Sequence, residues 1–498
     1  MKGFSFMRKL LVIFILLFIP ISAPFTARAD WSRPVRISEP GVCSNPQILA
    51  KGDTLHVVYD NGRGGDKISY VRSTNGGENW SRFKVISDTT GNIESLLPWI
   101  IQLQNKLMVL CFSRGLYGVY DNNIAYIISE NNGINWASPE YILNQNWERP
   151  IPITASAIDS LVIIVAKVNF IDSTQFYVLR SFNFGESWTD PIPIFNAPYG
   201  GFIDGIASGS TFHFTWNGRL NLDSILEVYY IRSTDYGQNW LENVVISEQD
   251  RYHSQIPAIA LDEVGDPAIT WMDFKYAPPG FTGDIFARRS SDSGATWNPV
   301  NELVYNHKAV QSDVAVKGDT IHVIWEDETP NMFYPRIQYS KSTDGGISWS
   351  EPFRLDQTDD ESRYPALALS NGRVYAVWSD TRYSPDTSGL FFTRWQAEPD
   401  EVHEDEDNNL PNKISISAYP NPFNSSVNID YSIMKGGEIR IINSLGQLVR
   451  DFRVEASNRG RLIWDGRDKA GELVASGVYF VKIKSGEQTK TLKLICVK

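Results

Sequence analysis

Five acidic residues close apolar runs that recur along the chain: Asp60 ends LHVVYD, Asp273 ends DPAITWMD, Glu326 and Asp327 end DTIHVIWED, and Asp380 ends RVYAVWSD. Two carboxylates at a set separation are what glycoside hydrolysis needs, one as acid and one as base or nucleophile. Arginines stand close by in the sequence, at Arg63, Arg114, Arg219 and Arg382 after such runs and at Arg149, Arg251 and Arg363 in the connections that follow. A guanidinium grips a carboxylate with two parallel hydrogen bonds, so a convergent set of these side chains would select an acidic ligand. Tyr252, Tyr276, Tyr364 and Tyr383 could stack on a sugar ring, and Tyr383 is also a candidate nucleophile. The plainer reading is that such Arg and Asp residues tie neighbouring structural units together, since the Trp-x-Asp ending is itself repeated. The six histidines are scattered and the cysteine spacing forms no metal-binding pattern, so no metal and no cofactor is expected.

What must position these residues is a repeat. RSTNGGENW (72–80) returns as SENNGINW, SFNFGESW, STDYGQNW, SSDSGATW and STDGGISW, with Trp-to-Trp spacings of 56, 52, 52, 57 and 52 residues. The form is Ser-x-Asp/Asn-x-Gly-x-x-Trp, with Asn75 and Trp80, Asn131 and Trp136, Asn183 and Trp188, Asp235 and Trp240, Asp292 and Trp297, and Asp344 and Trp349 at the key positions. The Gly supplies a positive φ, the Asp or Asn holds the turn through backbone N–H groups, and the Trp offers a face for packing between units. Each motif lies between a β-rich segment and a short strand, as a hairpin turn does.

These six copies resemble the Asp-box, or BNR, repeat of the sialidase-like β-propellers, over about residues 31 to 396. The resemblance implies an all-β propeller in which the boxes are architectural and lie on the rim away from the ligand face. It places the loops after each second strand, and the loops between blades, on that ligand face. Seven apolar second strands are present against six boxes, and WSRPVRIS at 31–38 matches WSRFKVIS at 80–87. The expected fold is therefore a seven-bladed β-propeller whose last blade is completed by the N-terminal strand; six blades is the alternative. Sialidases carry an arginine in a Phe/Tyr-Arg-Ile-Pro motif near the start of the fold. Here Arg36-Ile37-Ser38 and Arg336-Ile337-Gln338 depart from it, which argues against true exo-sialidase activity.

The chain has 498 residues and a formal net charge of −12, a balance that excludes nucleic acid as a main partner. Residues 1–29 read as a signal peptide: Arg8 and Lys9 precede an apolar run, and Ala27-Arg28-Ala29 fits a cleavage site. Loss of its four basic residues leaves −16, and no later run is long and apolar enough to span a bilayer. The three cysteines are too few for a disulfide scaffold, although a Cys43–Cys111 bridge is conceivable. The expected organisation is a propeller over 30–397, an acidic linker over 398–412 and a small β domain over 413–498. That last domain reads as a sandwich of seven short strands. Its residues AYPNPFNSSVNIDYS, NSLGQLV, WDGRDKAGELVASGVYFVKI and KTLKLICVK closely resemble the sorting domain of type IX secretion substrates and the related Ig-like domain of flagellar hook-capping proteins. The resemblance implies outer-membrane secretion machinery as a partner and a secreted or surface location. Two functions stand open. One is binding of an extracellular glycan or protein through the loop face. The other is a glycoside hydrolase or lyase acting on acidic glycans.

Overall fold

The computed structural model describes residues 31–396 and 415–497, apart from several short internal segments. The signal-peptide and linker expectations, and Arg63 and Arg149, fall outside the described residues. The chain divides into two compact units, 1–397 and 398–498. Among the described residues no helix is long and apolar enough to cross a membrane, and no cluster of three His, Cys, Asp or Glu side chains converges.

The first unit is all β. Its first sheet runs Cys43–Lys51, Thr54–Asn61, Lys67–Ser73 and Lys84–Val85, each strand antiparallel to the one before. The pattern repeats along the chain. Asn301–Lys317 serves two sheets: its beginning pairs with Gly283–Arg289 and its end with Thr320–Asp327. The last sheet, Ser362–Ser370, Arg373–Asp380 and Gly389–Gln396, takes its outer strand from Val35–Arg36 at the other end of the chain. Hydrogen bonds from Ser32 N to the Arg394 carbonyl and from Ile37 N to the Leu390 carbonyl (both 2.9 Å) extend this pairing, and Trp31 is buried.

The first strand of each sheet touches that of the sheets before and after it, and the first strand of the last sheet touches Cys43–Lys51, so the ring is closed. Every junction between consecutive sheets has its own apolar core. Val58, Ile68 and Tyr70 pack on Val109, Cys111 and Ile127, for instance, and Val374 and Trp378 on Ile324 and Tyr339. Second strands are buried on both faces, which is why LHVVY and IHVIW read as continuous apolar runs rather than alternating ones.

The repeated turn is built as its residue types require. In all six copies the Ser hydroxyl accepts the Gly N–H, as at Ser73–Gly77 (2.9 Å) and Ser290–Gly294 (2.8 Å). The Asp or Asn side chain accepts the N–H four residues on, as at Asn131–Asn135 (2.7 Å) and Asp344–Ser348 (2.9 Å). The Gly is positive in φ in every copy, and in five of the six a side chain of the preceding sheet presses on it, such as Phe392 at Gly77, Tyr70 at Gly133 and Tyr230 at Gly294. Where that side chain is Phe392, Tyr70 or Tyr230, the half-buried Trp lies edge-on to the same ring, with centroids 4.9 Å apart for Tyr70–Trp136 and Tyr230–Trp297. Two of these seats are braced from below by a buried histidine, His56 on Tyr70 and His213 on Tyr230, and His322 holds Tyr339, the ring that Trp31 meets, in the same way, at 2.6–2.7 Å.

The second unit is two sheets, one of three strands and one of four, enclosing Val427, Ile429, Ile441, Trp464 and Val481. Cys43, Cys111 and Cys496 are all buried free thiols, so the conceivable Cys43–Cys111 bridge is not made; Cys111 sits in the apolar core between the first two sheets.

Candidate active site at the channel mouth

Each first strand slips register two to four residues after it begins pairing, for example between Ser44 and Gln47, Leu96 and Trp99, Gln255 and Ala258, and Arg363 and Ala366. Within the slip Asn45, Leu97, Ile256 and Tyr364 take positive φ angles of 47–57° directly before a proline. Such angles are costly for residues with a Cβ and persist where neighbours hold them. Two of the sequence-derived acids do so. Asp60 accepts the Leu97 N–H (3.0 Å) and the Asn45 side-chain amide (2.7 Å), and Glu326 accepts the Tyr364 N–H (2.6 Å). Both are buried, and desolvation pushes their pKa up to about 7.

The remaining candidates sit as follows. Asp273 accepts the Ser254 hydroxyl and the Trp271 indole N–H, and Asp380 accepts the Ser362 hydroxyl, the Trp378 indole N–H and Arg382 (2.6 Å). Asp327 is buried and accepts the Gln338 amide. Arg363 bonds Glu361 and lies 3.4 Å from Glu326, while Arg114 bonds Glu94. Arg219 lies over the Tyr199 ring and Arg251 over the Tyr252 ring. Tyr383 is exposed, with Arg36 on its face. The structure therefore brings Glu326 to Arg363 and Asp380 to Arg382. None of the described candidate arginines is among the residues that line the central cavity.

That cavity, about 290 Å³, opens where the first strands begin. Trp99, Phe202 and Tyr364 give it aromatic walls, and Asn45, Gln47, Gln311 and Ser312 give it amides and a hydroxyl. A second cavity of about 530 Å³ continues along the later halves of the same strands. Gln47, Trp99, Asp204 and Asp313 line both and so form the waist between them. They occupy one register position, each pairing with the middle of its second strand: Gln47 with Val58, Trp99 with Leu110, Asp204 with Thr215, Asp313 with Ile324. The fifth and last sheets place Ala258 and Ala366 there. Asp204 and Asp313 were not singled out from the sequence. The available signal was an acid in a position that the other repeats fill with a neutral residue.

Asp204 accepts the N–H of Gly205 (2.7 Å) and of Ile259 in the next sheet (2.9 Å), and Asp313 does the same to Val314 (2.8 Å) and Leu367 (2.6 Å). Burial raises Asp204 to about 7, with the charge of Asp313 adding to the rise, and burial raises Asp313 to about 6. Lys167 also lines the mouth, donating to the Gly201 carbonyl at 3.1 Å.

These shifts set a pH dependence. Asp60, Asp204, Glu227, Glu326, Asp313 and Asp356 are all raised by burial. Between about pH 4 and 7 the folded chain holds more protons on them than the unfolded chain, so they favour folding as pH falls. His56, His213 and His322 are lowered to about 4 by burial and oppose this below about pH 6.5. The acids outnumber the histidines and titrate first, so the melting temperature should be higher at pH 6 than at pH 8. A melting curve that rises steadily from pH 6 to 8 rejects this account of the buried acids.

Residues 417–498 match the family of the secretion system C-terminal sorting domain. No curated protein matches the chain. Among solved structures the chain is similar to an ulvan lyase from a new family of polysaccharide lyases, bound to -[GlcA(1-4)Rha3S]-, at 11% identity and a TM-score of 0.52, covering 72% of this chain and 95% of that one. It is also similar to a protein of unknown function from Dyadobacter fermentans (14% identity, TM-score 0.46, 74% and 100% covered) and to a mutant Trypanosoma rangeli sialidase displaying trans-sialidase activity (12%, 0.40, 93% and 86%). At such identities these likenesses speak to fold alone. The first unit thus has an all-β fold similar to that of the lyase, and residues 417–498 match a sorting domain. The sorting domain directs it through type IX secretion to the cell surface or the medium.

Proposed function

We propose that this protein is an exported glycan-binding propeller whose ligand sits in the mouth of the central channel. The observation that carries the reading is the cavity wall: Trp99, Phe202 and Tyr364 alternate with Asn45, Gln47 and Gln311. Ligand sites are typically concave and largely apolar, with a few placed polar groups. A sugar ring has apolar C–H faces that suit aromatic walls and hydroxyls that suit amides. Phe202 is 57% exposed although aromatic, as a stacking platform is before its ligand arrives.

We read the ring as seven blades, with Asn301–Lys317 crossing from the fifth to the sixth and the repeated turns as Asp-boxes. We read the second unit as an Ig-like sandwich, and the domain limits as 1–29, 30–397, 398–412 and 413–498. A second reading, cleavage of the glycan, draws on Asp204 and Asp313, two acids raised towards neutrality in one channel, as acid–base residues often are. The described lyase acts on a polysaccharide at the same level of fold.

The test is a glycan array on the full chain, followed by titration of the hits and a reducing-end assay on the same glycans. Phe202→Ala should weaken binding by about tenfold or more, as for an aromatic anchor, and change stability by no more than about 0.5 kcal/mol, as for an exposed position. Unchanged binding by this variant would put the ligand elsewhere. New reducing or unsaturated ends that vanish in Asp204→Asn would favour cleavage.

A further inference from the structure

The channel-mouth cavity holds three charged side chains among the described residues: Lys167, Asp204 and Asp313. Lys167 comes from the second strand of the third sheet, Leu161–Asn169. Its one described hydrogen bond goes to the Gly201 carbonyl, and no described carboxylate forms an ion pair with it. The described candidate arginines, by contrast, lie outside this cavity, and three of them are held by carboxylates. An ammonium removed from water without a counter-ion is costly, and burial does lower the pKa of Lys167.

We propose that Lys167 selects an anionic group, so that the glycan taken at the channel mouth carries a carboxylate or a sulfate that pairs with its Nζ. The inference rests on the glycan-binding reading above and narrows it to a substrate class. An anion there would supply the missing counter-charge in a place of low polarity, where charge-assisted hydrogen bonds are strongest.

The other groups around the cavity set the pH response. The first and second sheets present neutral Asn45, Gln47 and Trp99, with Asp60 behind them bonded to Asn45 and Leu97. The fourth and sixth sheets present Asp204 and Asp313, the fifth presents Ile256 and Ala258, and the last presents Tyr364 with Glu326 behind its backbone. As pH rises through about 6 to 7, Asp313 and Asp204 lose their protons. Their charges would then repel an anion, so binding should weaken from pH 5.5 to pH 8.

The experiment titrates the full chain with three oligosaccharides of equal length: neutral galacto-oligosaccharide, its sulfated form, and oligogalacturonate. The sulfated and uronate arms separate the two sources of negative charge. The wild type should prefer at least one anionic arm by about tenfold or more, the scale of one hydrogen bond to a charged group. Lys167→Gln should erase the preference while keeping neutral binding, and Lys167→Arg should retain most of it. Melting of each variant checks folding; if the Gln variant does not fold, the wild-type preference and its loss towards pH 8 decide. Equal binding of all three ligands, or a preference that survives Lys167→Gln, overturns the inference and leaves the glycan-binding reading standing. Failure of the wild type to bind any of the three, or any glycan on the array, removes both.

Discussion

Gly133→Ala should destabilise the propeller by roughly 3–5 kcal/mol, the sum of a strained backbone and an overpacked contact. Gly133 has a φ of 80°, and a Cβ there would overlap the Tyr70 hydroxyl. Tyr70 cannot swing away: it is buried, held by His56 at 2.7 Å and covered edge-on by Trp136. Gly346 makes a natural control. It fills the same place in the last copy of the turn with a φ of 90°, but a Cβ there would make only ordinary contacts, with the Ile321 methyl at 3.4 Å and the Trp349 ring at 3.8 Å. Gly346→Ala should therefore show the backbone strain alone, about 1–2 kcal/mol. Chemical denaturation of the two variants separates these contributions. Equal losses would mean that the turn glycine is required for its φ and not for the approach of the neighbouring sheet.

Trp31→Ala should cost about 3–5 kcal/mol, as for a buried large aromatic. Trp31 is 6% exposed, packs edge-on against Tyr339 of the sixth sheet at 4.9 Å, and bridges to Trp395. It anchors the short strand Val35–Arg36, whose pairing with Phe391 and Phe392 covers what would otherwise be an open edge at Gly389–Gln396. An exposed edge invites pairing with a second chain, so the variant should also form soluble oligomers on mild heating. Val35→Ala, at an exposed site in the same strand, should stay within about 0.5 kcal/mol of wild type. Wild-type stability in Trp31→Ala would mean that ring closure contributes nothing to the fold.

Much of this architecture can be read from contiguous residues. The turn Ser-x-Asp/Asn-x-Gly-x-x-Trp closes on itself, with its Ser and Asp or Asn bonding N–H groups only three or four residues away. Its chemistry is local, and so is its signature. The pairing of Val35–Arg36 with Gly389–Gln396 is as distant in sequence as the unit allows, yet it was visible because WSRPVRIS repeats WSRFKVIS. The loop acids and arginines were harder. Their positions at strand ends were legible. That Asp60 would accept the Leu97 N–H, and Arg363 lie against Glu326, depends on how one sheet meets the next.

The repeat shows a chain of β hairpins, and the resemblances of its turns and of its last residues imply a ring and an exported chain, because hairpin turns, apolar second strands and the sorting tail are each written in a short run of residues. Which side chains face the channel is a property of the assembled ring. Alternation along a strand sends successive residues to opposite faces, so one step of register exchanges wall for core. The slip at Asn45-Pro46, Leu97-Pro98 and their counterparts resets that step in each sheet. Only after it are Gln47, Trp99, Asp204 and Asp313, about fifty residues apart from one to the next or farther, turned onto one ring. Lys167 is a polar ending to an apolar run in the sequence and becomes the lone cation among the described residues of a cavity only when Gly201 of the next sheet is laid beside it.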